Sequence, residues 1–185
     1  MSQSDLLIQV IEALALSASE YMLTGSLVSS MQGEPRATHD IDIVVMATPE
    51  SLKMFLSNFS PDDYYYNEDV ALRAMDSGAM FNIISNTGDK VDIWPLTGSE
   101  FDQTRFSRKH QVEFFGMQMN VSSPEDTILM KLLWSKRSGG SEKQLFDAAK
   151  VYEMQEDILD GEYLSSWIEK LGLEERFAAM QKFLS

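Results

Sequence analysis

The chain has 185 residues, which suits one domain or a core with a helical appendage. Its 44% hydrophobic and 24% charged residues are typical of globular proteins and exclude disordered and collagen-like classes. Acidic residues outnumber basic ones by 29 to 15, giving a net charge of -14, which disfavours a broad nucleic-acid interface and favours cationic partners. Without cysteine and with two histidines, the chain has no thiolate zinc site or cysteine nucleophile, so any metal must be bound by oxygen.

No apolar run approaches the roughly 18 residues that predict a membrane span. The polar start, residues 1–5, lacks the cationic region of a secretory signal peptide. We therefore expect a cytoplasmic protein with no membrane partner.

Strands and helices alternate over the first part of the chain. The patterns predict a helix from Ser4 to about Glu20, a strand at 21–24, a helix beginning at 27–31, a loop at 32–39 and a strand at 40–46. They then predict a helix over 48–58, a helix over 68–76, a strand pair at 79–84 and 90–94, and a hairpin at 111–115 and 117–121. This alternation predicts an α/β fold, with its core in residues 1–122.

The last third of the chain reads as helical. Ser123-Pro124-Glu125-Asp126 supplies a cap, a first-turn proline and acidic residues before an apolar helix. Further helices are predicted near 142–154, 161–171 and 173–183. We therefore assign residues 123–185 to a helical C-terminal part.

Two aspartates, Asp40 and Asp42, lie one residue apart in a predicted strand, so both side chains leave the same face of the sheet. Asp92 stands alone between core residues of a later strand and is the candidate for a third carboxylate in the same place. The alternative is an ordinary solvent-exposed sheet face. Aspartate is depleted in strands, however, and paired carboxylates repel each other without a cation, which favours a metal site.

Gly25-Ser26 marks the passage from a predicted strand to a helix. Glycine permits close approach of the backbone, and the first amides of a helix bind phosphate oxygens. Alone, a Gly-Ser pair most often forms a plain turn.

Taken together, three segments resemble the nucleotidyltransferase superfamily of the DNA polymerase beta type. These are the hydrophobic-Gly-Ser turn at 21–26, the Arg-x-Thr-x-Asp-x-Asp run at 36–42 and Val91-Asp92-Ile93. The segment Ser123 to Lys131 looks like the small bacterial branch that includes toxin-type and antibiotic-modifying enzymes. The resemblance covers about residues 5–150 and implies a mixed β-sheet flanked by helices.

The resemblance implies roles for the residues of these motifs. Asp40 and Asp42 would hold Mg²⁺ or Mn²⁺, and Asp92 would bind a metal or accept the proton of the attacking hydroxyl. Gly25 and Ser26 would hold the triphosphate of a nucleoside triphosphate.

Two further residues, Lys131 and Arg36, carry open alternatives. Lys131 resembles a helical lysine that reaches nucleotide phosphates, or it faces solvent. Arg36 binds phosphate or pairs with a carboxylate. A Lys-Asp-x-x-Asp pattern is common on the next helix of this branch, but Gln144 departs from it, so Asp147 is expected to lie at the surface.

Aromatic residues are given structural roles. Tyr64, Tyr65 and Tyr66 are expected at a half-buried strand edge rather than stacked on a base. Trp94, Trp134 and Trp167 occupy mostly apolar positions and are assigned to the core.

The predicted activity is metal-dependent transfer of a nucleoside monophosphate from a nucleoside triphosphate to a hydroxyl group, with release of pyrophosphate. The acidic charge favours a small cationic acceptor and disfavours extensive nucleic-acid binding. One alternative is a toxin-like nucleotidyltransferase that modifies RNA or protein. Another is a non-catalytic nucleotide-binding or interaction module of the same fold.

Overall fold

A computed structural model describes residues 2–184. The chain forms two compact units, one containing residues up to Thr24 and His39–Val121, the other Gly25–Thr38 and the residues from Ser122 onward. The sequence prediction assigned residues 25–38 to the first part of the chain. In the structure they group with the C-terminal helices.

The first unit contains a mixed seven-stranded sheet. Its strands are β1 (Glu20–Thr24), β2 (Asp40–Met46), β3 (Tyr64–Tyr65), β4 (Phe81–Ser85), β5 (Lys90–Pro95), β6 (His110–Phe114) and β7 (Met117–Val121), in the spatial order β3-β4-β5-β2-β1-β7-β6. Strand β2 pairs antiparallel with β1 and parallel with β5. The α/β fold with a mixed sheet is thus confirmed.

One face of the sheet is buried under helices. The helices of this unit are α1 (Gln3–Leu16), α3 (Pro49–Leu56), α4 (Glu68–Ser77) and α5 (Glu100–Ser107), whereas α2 (Gly25–Gln32) belongs to the other unit. Leu14 of α1 and Phe55 of α3 line the same small apolar space as Ile93 of β5. Because strand side chains alternate, burial of Ile41 and Ile43 on this face turns Asp40 and Asp42 to the other one.

The opposite face is partly covered by α5. Phe106 of this helix joins Met22 and Val44 in a buried cluster against which Trp94 also packs. The sequence pattern did not predict α5, because its buried aromatic residues, Phe101 and Phe106, are spaced by five positions rather than three or four.

The second unit is helical. It contains α2 (Gly25–Gln32), α6 (Pro124–Arg137), α7 (Glu142–Gln155), α8 (Gly161–Leu171) and α9 (Glu174–Met180), with 3₁₀ turns at Glu156–Ile158 and Gln181–Phe183. Helix α2 packs against α6 and α7. At Gly33 the chain approaches α7 so closely that a β-carbon would lie 2.8 Å from the Val151 nitrogen. Only glycine allows this approach without displacement of the backbone.

Helix α6 begins where the sequence predicts. Ser123 is its N-cap and accepts a hydrogen bond from the Asp126 amide, and Pro124 occupies the first turn. The buried Asp126 carboxylate also accepts a hydrogen bond of 2.6 Å from the Tyr163 hydroxyl of α8. Capping and tertiary attachment are thus combined at one end of this helix.

None of the helices between residues 2 and 184 has both the length and the hydrophobicity needed to cross a lipid bilayer.

Candidate functional site

The carboxylates singled out in the sequence lie on neighbouring strands. In the parallel pairing of β2 with β5, Asp42 is opposite Asp92 and Asp40 is opposite Lys90. Residues that are opposite each other in adjacent strands share a face of the sheet. The structure therefore places Asp40, Asp42 and Asp92 on the same face, opposite the one on which the core isoleucines are buried. Exposure decreases along this set from an exposed Asp40 through a half-buried Asp42 to Asp92, which is 8% exposed.

The two carboxylate oxygens of Asp92 have different surroundings. Its Oδ2 accepts a hydrogen bond of 2.7 Å from the Lys90 ammonium group. Its Oδ1 is buried and has no hydrogen-bond partner within the described part of the chain. A buried carboxylate oxygen without a partner is costly, since desolvation is not repaid by a donor. A cation or a hydrogen-bond donor bound at this oxygen would therefore offset that desolvation cost.

Lys90 introduces a positive charge among the aspartates. The hydrogen bond to Asp92 is the largest influence on this ammonium group and raises its pKa above the ordinary value, while burial acts in the opposite direction. The charges of Asp92, Asp40 and Asp42 raise the pKa further. The sequence analysis did not single out Lys90. Its spacing of two residues from Asp92, on the same strand face, was the available signal.

Trp94 continues this row along β5. Its indole Nε1 donates a hydrogen bond of 3.2 Å to Oδ1 of Asp42, while its ring packs on the buried cluster beneath. The assignment of Trp94 to the core was thus incomplete, because the half-buried ring combines apolar packing with a polar contact. Trp94 orients the Asp42 carboxylate.

The donors on this face suit a hard cation. Mg²⁺ takes oxygen ligands and is commonly bound by one or two carboxylates together with phosphate oxygens and water. Asp42 and Asp92, side by side and with the buried Oδ1 unpartnered, fit that chemistry. Across residues 2–184, however, no three or more histidine, cysteine or acidic side chains are gathered closely enough to hold a metal ion. The metal site formed by three aspartates stays a prediction.

The second unit contains a separate polar cluster. Gly25 opens α2 with φ of 72°, a left-handed conformation that glycine adopts readily. The next residue, Ser26, is buried, and its hydroxyl accepts hydrogen bonds of 3.4 Å from Arg36 and from Lys131. Both cations also donate to Asp147, at 2.8 Å from Arg36 Nη2 and 2.7 Å from Lys131 Nζ.

This cluster corrects the surface position expected for Asp147 and excludes the solvent-facing alternative for Lys131. Asp147 is 6% exposed and Lys131 is 3% exposed, so neither lies at the surface. Burial is the largest influence on the Asp147 carboxyl and raises its pKa, but Arg36 and Lys131 together outweigh burial and hold the pKa below its ordinary value. Asp147 is therefore an ionised counter-ion for two basic residues. Of the alternatives for Arg36, pairing with a carboxylate is observed, and phosphate binding by Gly25, Ser26, Arg36 and Lys131 stays a prediction.

No family model matches the chain. No curated protein matches it either.

Several solved structures are similar to this one. The antibiotic-resistance factor ANT(2'')-Ia, solved in complex with adenylyl-2''-tobramycin, has a TM-score of 0.56 at 10% identity over 95% of this chain and 99% of that one. The lincosamide antibiotic adenylyltransferase LnuA, solved with lincomycin, has a TM-score of 0.55 at 13% identity over 80% of this chain and 95% of that one. An antigenic nucleotidyltransferase-like protein from Paracoccidioides brasiliensis has a TM-score of 0.51 at 14% identity, covering 96% and 92% respectively. The chain therefore has the nucleotidyltransferase fold that its sequence motifs predict.

Proposed function

We propose that the protein transfers a nucleoside monophosphate from a nucleoside triphosphate to a hydroxyl group, with Mg²⁺ or Mn²⁺, and releases pyrophosphate. The single observation that carries the proposal is the pairing of Asp42 with Asp92 on one sheet face of a nucleotidyltransferase fold, with Oδ1 of Asp92 buried and unpartnered.

The three aspartates have different proposed roles. Asp40 and Asp42 would hold the divalent ions, which when bound neutralise the triphosphate and stabilise charge on the attacking and leaving oxygens. The indole of Trp94 keeps the Asp42 carboxylate oriented. Asp92 would bind a metal ion through Oδ1 or accept there the proton of the acceptor hydroxyl.

The polar cluster of the second unit supplies groups for an anion. Gly25 and Ser26 offer backbone amides and a hydroxyl at the start of α2, where the helix dipole favours negative charge. Arg36 and Lys131 add two positive charges that Asp147 holds in fixed positions. We assign these four residues to the triphosphate.

A small cationic molecule is the acceptor that the charge favours. The net charge of -14 attracts cations and disfavours RNA, one of the two substrates of the toxin-like alternative. The similar structures include one with adenylylated tobramycin and one with lincomycin bound. We therefore propose an amine-bearing hydroxyl compound as the acceptor class.

The test is a labelling experiment. The purified protein is incubated with each of four labelled nucleoside triphosphates, Mg²⁺ or Mn²⁺ and a small-molecule extract, and both labelled products and pyrophosphate are measured. Asp42→Asn is expected to lower turnover by at least a hundredfold, because the metal-dependent stabilisation acts mainly in the transition state. Asp62→Asn, the same change at an exposed loop aspartate of the same unit, is the matched control and should leave turnover unchanged.

A second candidate is a nucleotide-binding module without transfer activity. The ion pair of Lys90 with Asp92 favours it, because an internal cation satisfies a carboxylate that catalysis would need for a metal ion or a proton. If no nucleotide labels any acceptor from broad small-molecule, RNA and protein pools and no pyrophosphate appears, this candidate replaces the enzyme.

A further inference from the structure

Lys90 occupies an unusual position for a lysine in a carboxylate-rich site. It is opposite Asp40 in the β2–β5 register and two residues before Asp92, so it shares the face of all three aspartates. Its Nζ lies 2.7 Å from Oδ2 of Asp92, and its side chain is 40% exposed. The ammonium group is thus anchored at one end of the site while remaining in contact with solvent.

The charge of Lys90 affects how readily the aspartates bind a divalent cation. Three carboxylates on one face repel each other, and the ammonium group reduces that repulsion in the metal-free protein. A divalent ion approaching the same carboxylates meets a positive charge already within the site. Coulomb repulsion over such short distances is substantial even when water screens it.

We infer that Lys90 is a resident counter-cation that competes with divalent metal ions for the aspartate site. This inference rests on the proposed function, since it concerns the same carboxylates. A free divalent ion would have to displace the Lys90 ammonium group from Asp92. A metal ion arriving with a triphosphate meets less opposition, because the displaced ammonium group can then pair with a phosphate oxygen. Lys90 would thereby make metal occupancy depend on the nucleotide.

Lys109, another lysine of the first unit, pairs with Glu20 at 3.0 Å and lies over the Phe106 ring. It belongs to the same unit and carries the same charge, but no aspartate of the site is its partner in that ion pair. Lys109 is therefore the matched control for removal of one positive charge.

The experiment measures Mn²⁺ affinity in the absence of nucleotide, by the loss of the free-ion signal in electron paramagnetic resonance. Lys90→Met removes the charge and keeps the length of the side chain. We expect it to bind Mn²⁺ at least tenfold more tightly than the parent protein, equivalent to about 1.4 kcal/mol. Lys90→Arg, which keeps the charge, and Lys109→Met should both bind as the parent does.

The outcomes separate this inference from the proposed function. Equal or weaker Mn²⁺ binding by Lys90→Met, with the parent binding measurably, overturns the competition and leaves the nucleotidyl transfer untouched. No binding by either protein up to millimolar Mn²⁺ also overturns it, and label transfer by the parent then decides the proposed function independently. If circular dichroism shows that Lys90→Met is unfolded, Lys90→Gln takes its place with the same expected result.

Discussion

Replacing Asp147 by asparagine tests the polar cluster of the second unit. The change leaves the Lys131 ammonium group, whose side chain is 4% exposed, buried without its counter-ion. Removal of one partner from a buried ion pair commonly costs about 3–5 kcal/mol. Arg36 adds less, because its side chain is 29% exposed and water can replace the carboxylate. We therefore expect Asp147→Asn to lose about 3–5 kcal/mol of unfolding free energy.

Urea unfolding at pH 7, followed by circular dichroism, measures this loss. Lys131→Met should cost less, because Asp147 retains both hydrogen bonds from Arg36. Asp157→Asn, an exposed aspartate of the same unit, provides the matched control and should change stability by no more than about 0.5 kcal/mol. A loss below about 1 kcal/mol for Asp147→Asn would refute the counter-ion role.

The same variant has a pH dependence of defined sign. Because the folded pKa of Asp147 is lowered from its ordinary value of 3.8, its ionised form stabilises the fold above that value. This contribution disappears as the pH falls through the lowered folded pKa. The stability difference between the parent and Asp147→Asn should therefore be constant above about pH 5 and shrink in stronger acid. A difference that grows in acid would contradict the assignment.

Three further predictions concern the backbone and the nucleotide. Gly33→Ala should lower the melting temperature and reduce the free energy of unfolding by about 1–3 kcal/mol, because the added carbon meets the α7 backbone at Val151. Phe115→Asn should raise the melting temperature and add about 1 kcal/mol to the free energy of unfolding. Phe115 and Gly116 form a two-residue hairpin turn with φ of 51° and 74°, for which Asn-Gly is preferred. Calorimetry should show that nucleoside triphosphates bind with Mg²⁺ and at least tenfold more weakly after chelation; equal affinity would exclude the proposed binding mode.

Local patterns predicted the elements that carry the site. Strand β2 has the predicted bounds because isoleucine and valine alternate with the two aspartates and a loop precedes them. The start of α6 followed from Ser123 and Pro124, whose capping chemistry is written in consecutive residues. Because these signals lie in consecutive residues, the sequence was sufficient to predict where these two elements begin.

Pairings between distant residues were less accessible. That Lys90 is opposite Asp40 depends on the register of β2 with β5, which no short segment specifies. The contact of Asp147 with Lys131 joins two helices. Because Gln144 departs from the Lys-Asp-x-x-Asp pattern, the sequence predicted a surface position for Asp147 instead. Burial of a charged residue becomes predictable only when its partner is known, and here the partners come from tertiary packing.

The division of the chain between the two units affects the order of folding. Residues 25–38 leave the ribosome early, but the helices against which α2 packs follow only after His39–Val121 has been made. At the roughly 5–20 residues per second of protein synthesis, that interval lasts several seconds. During it the apolar side of α2, with the fully buried Val28, has no native surface to cover it. The nascent chain therefore leaves this short segment without its native neighbours until α6 and α7 emerge.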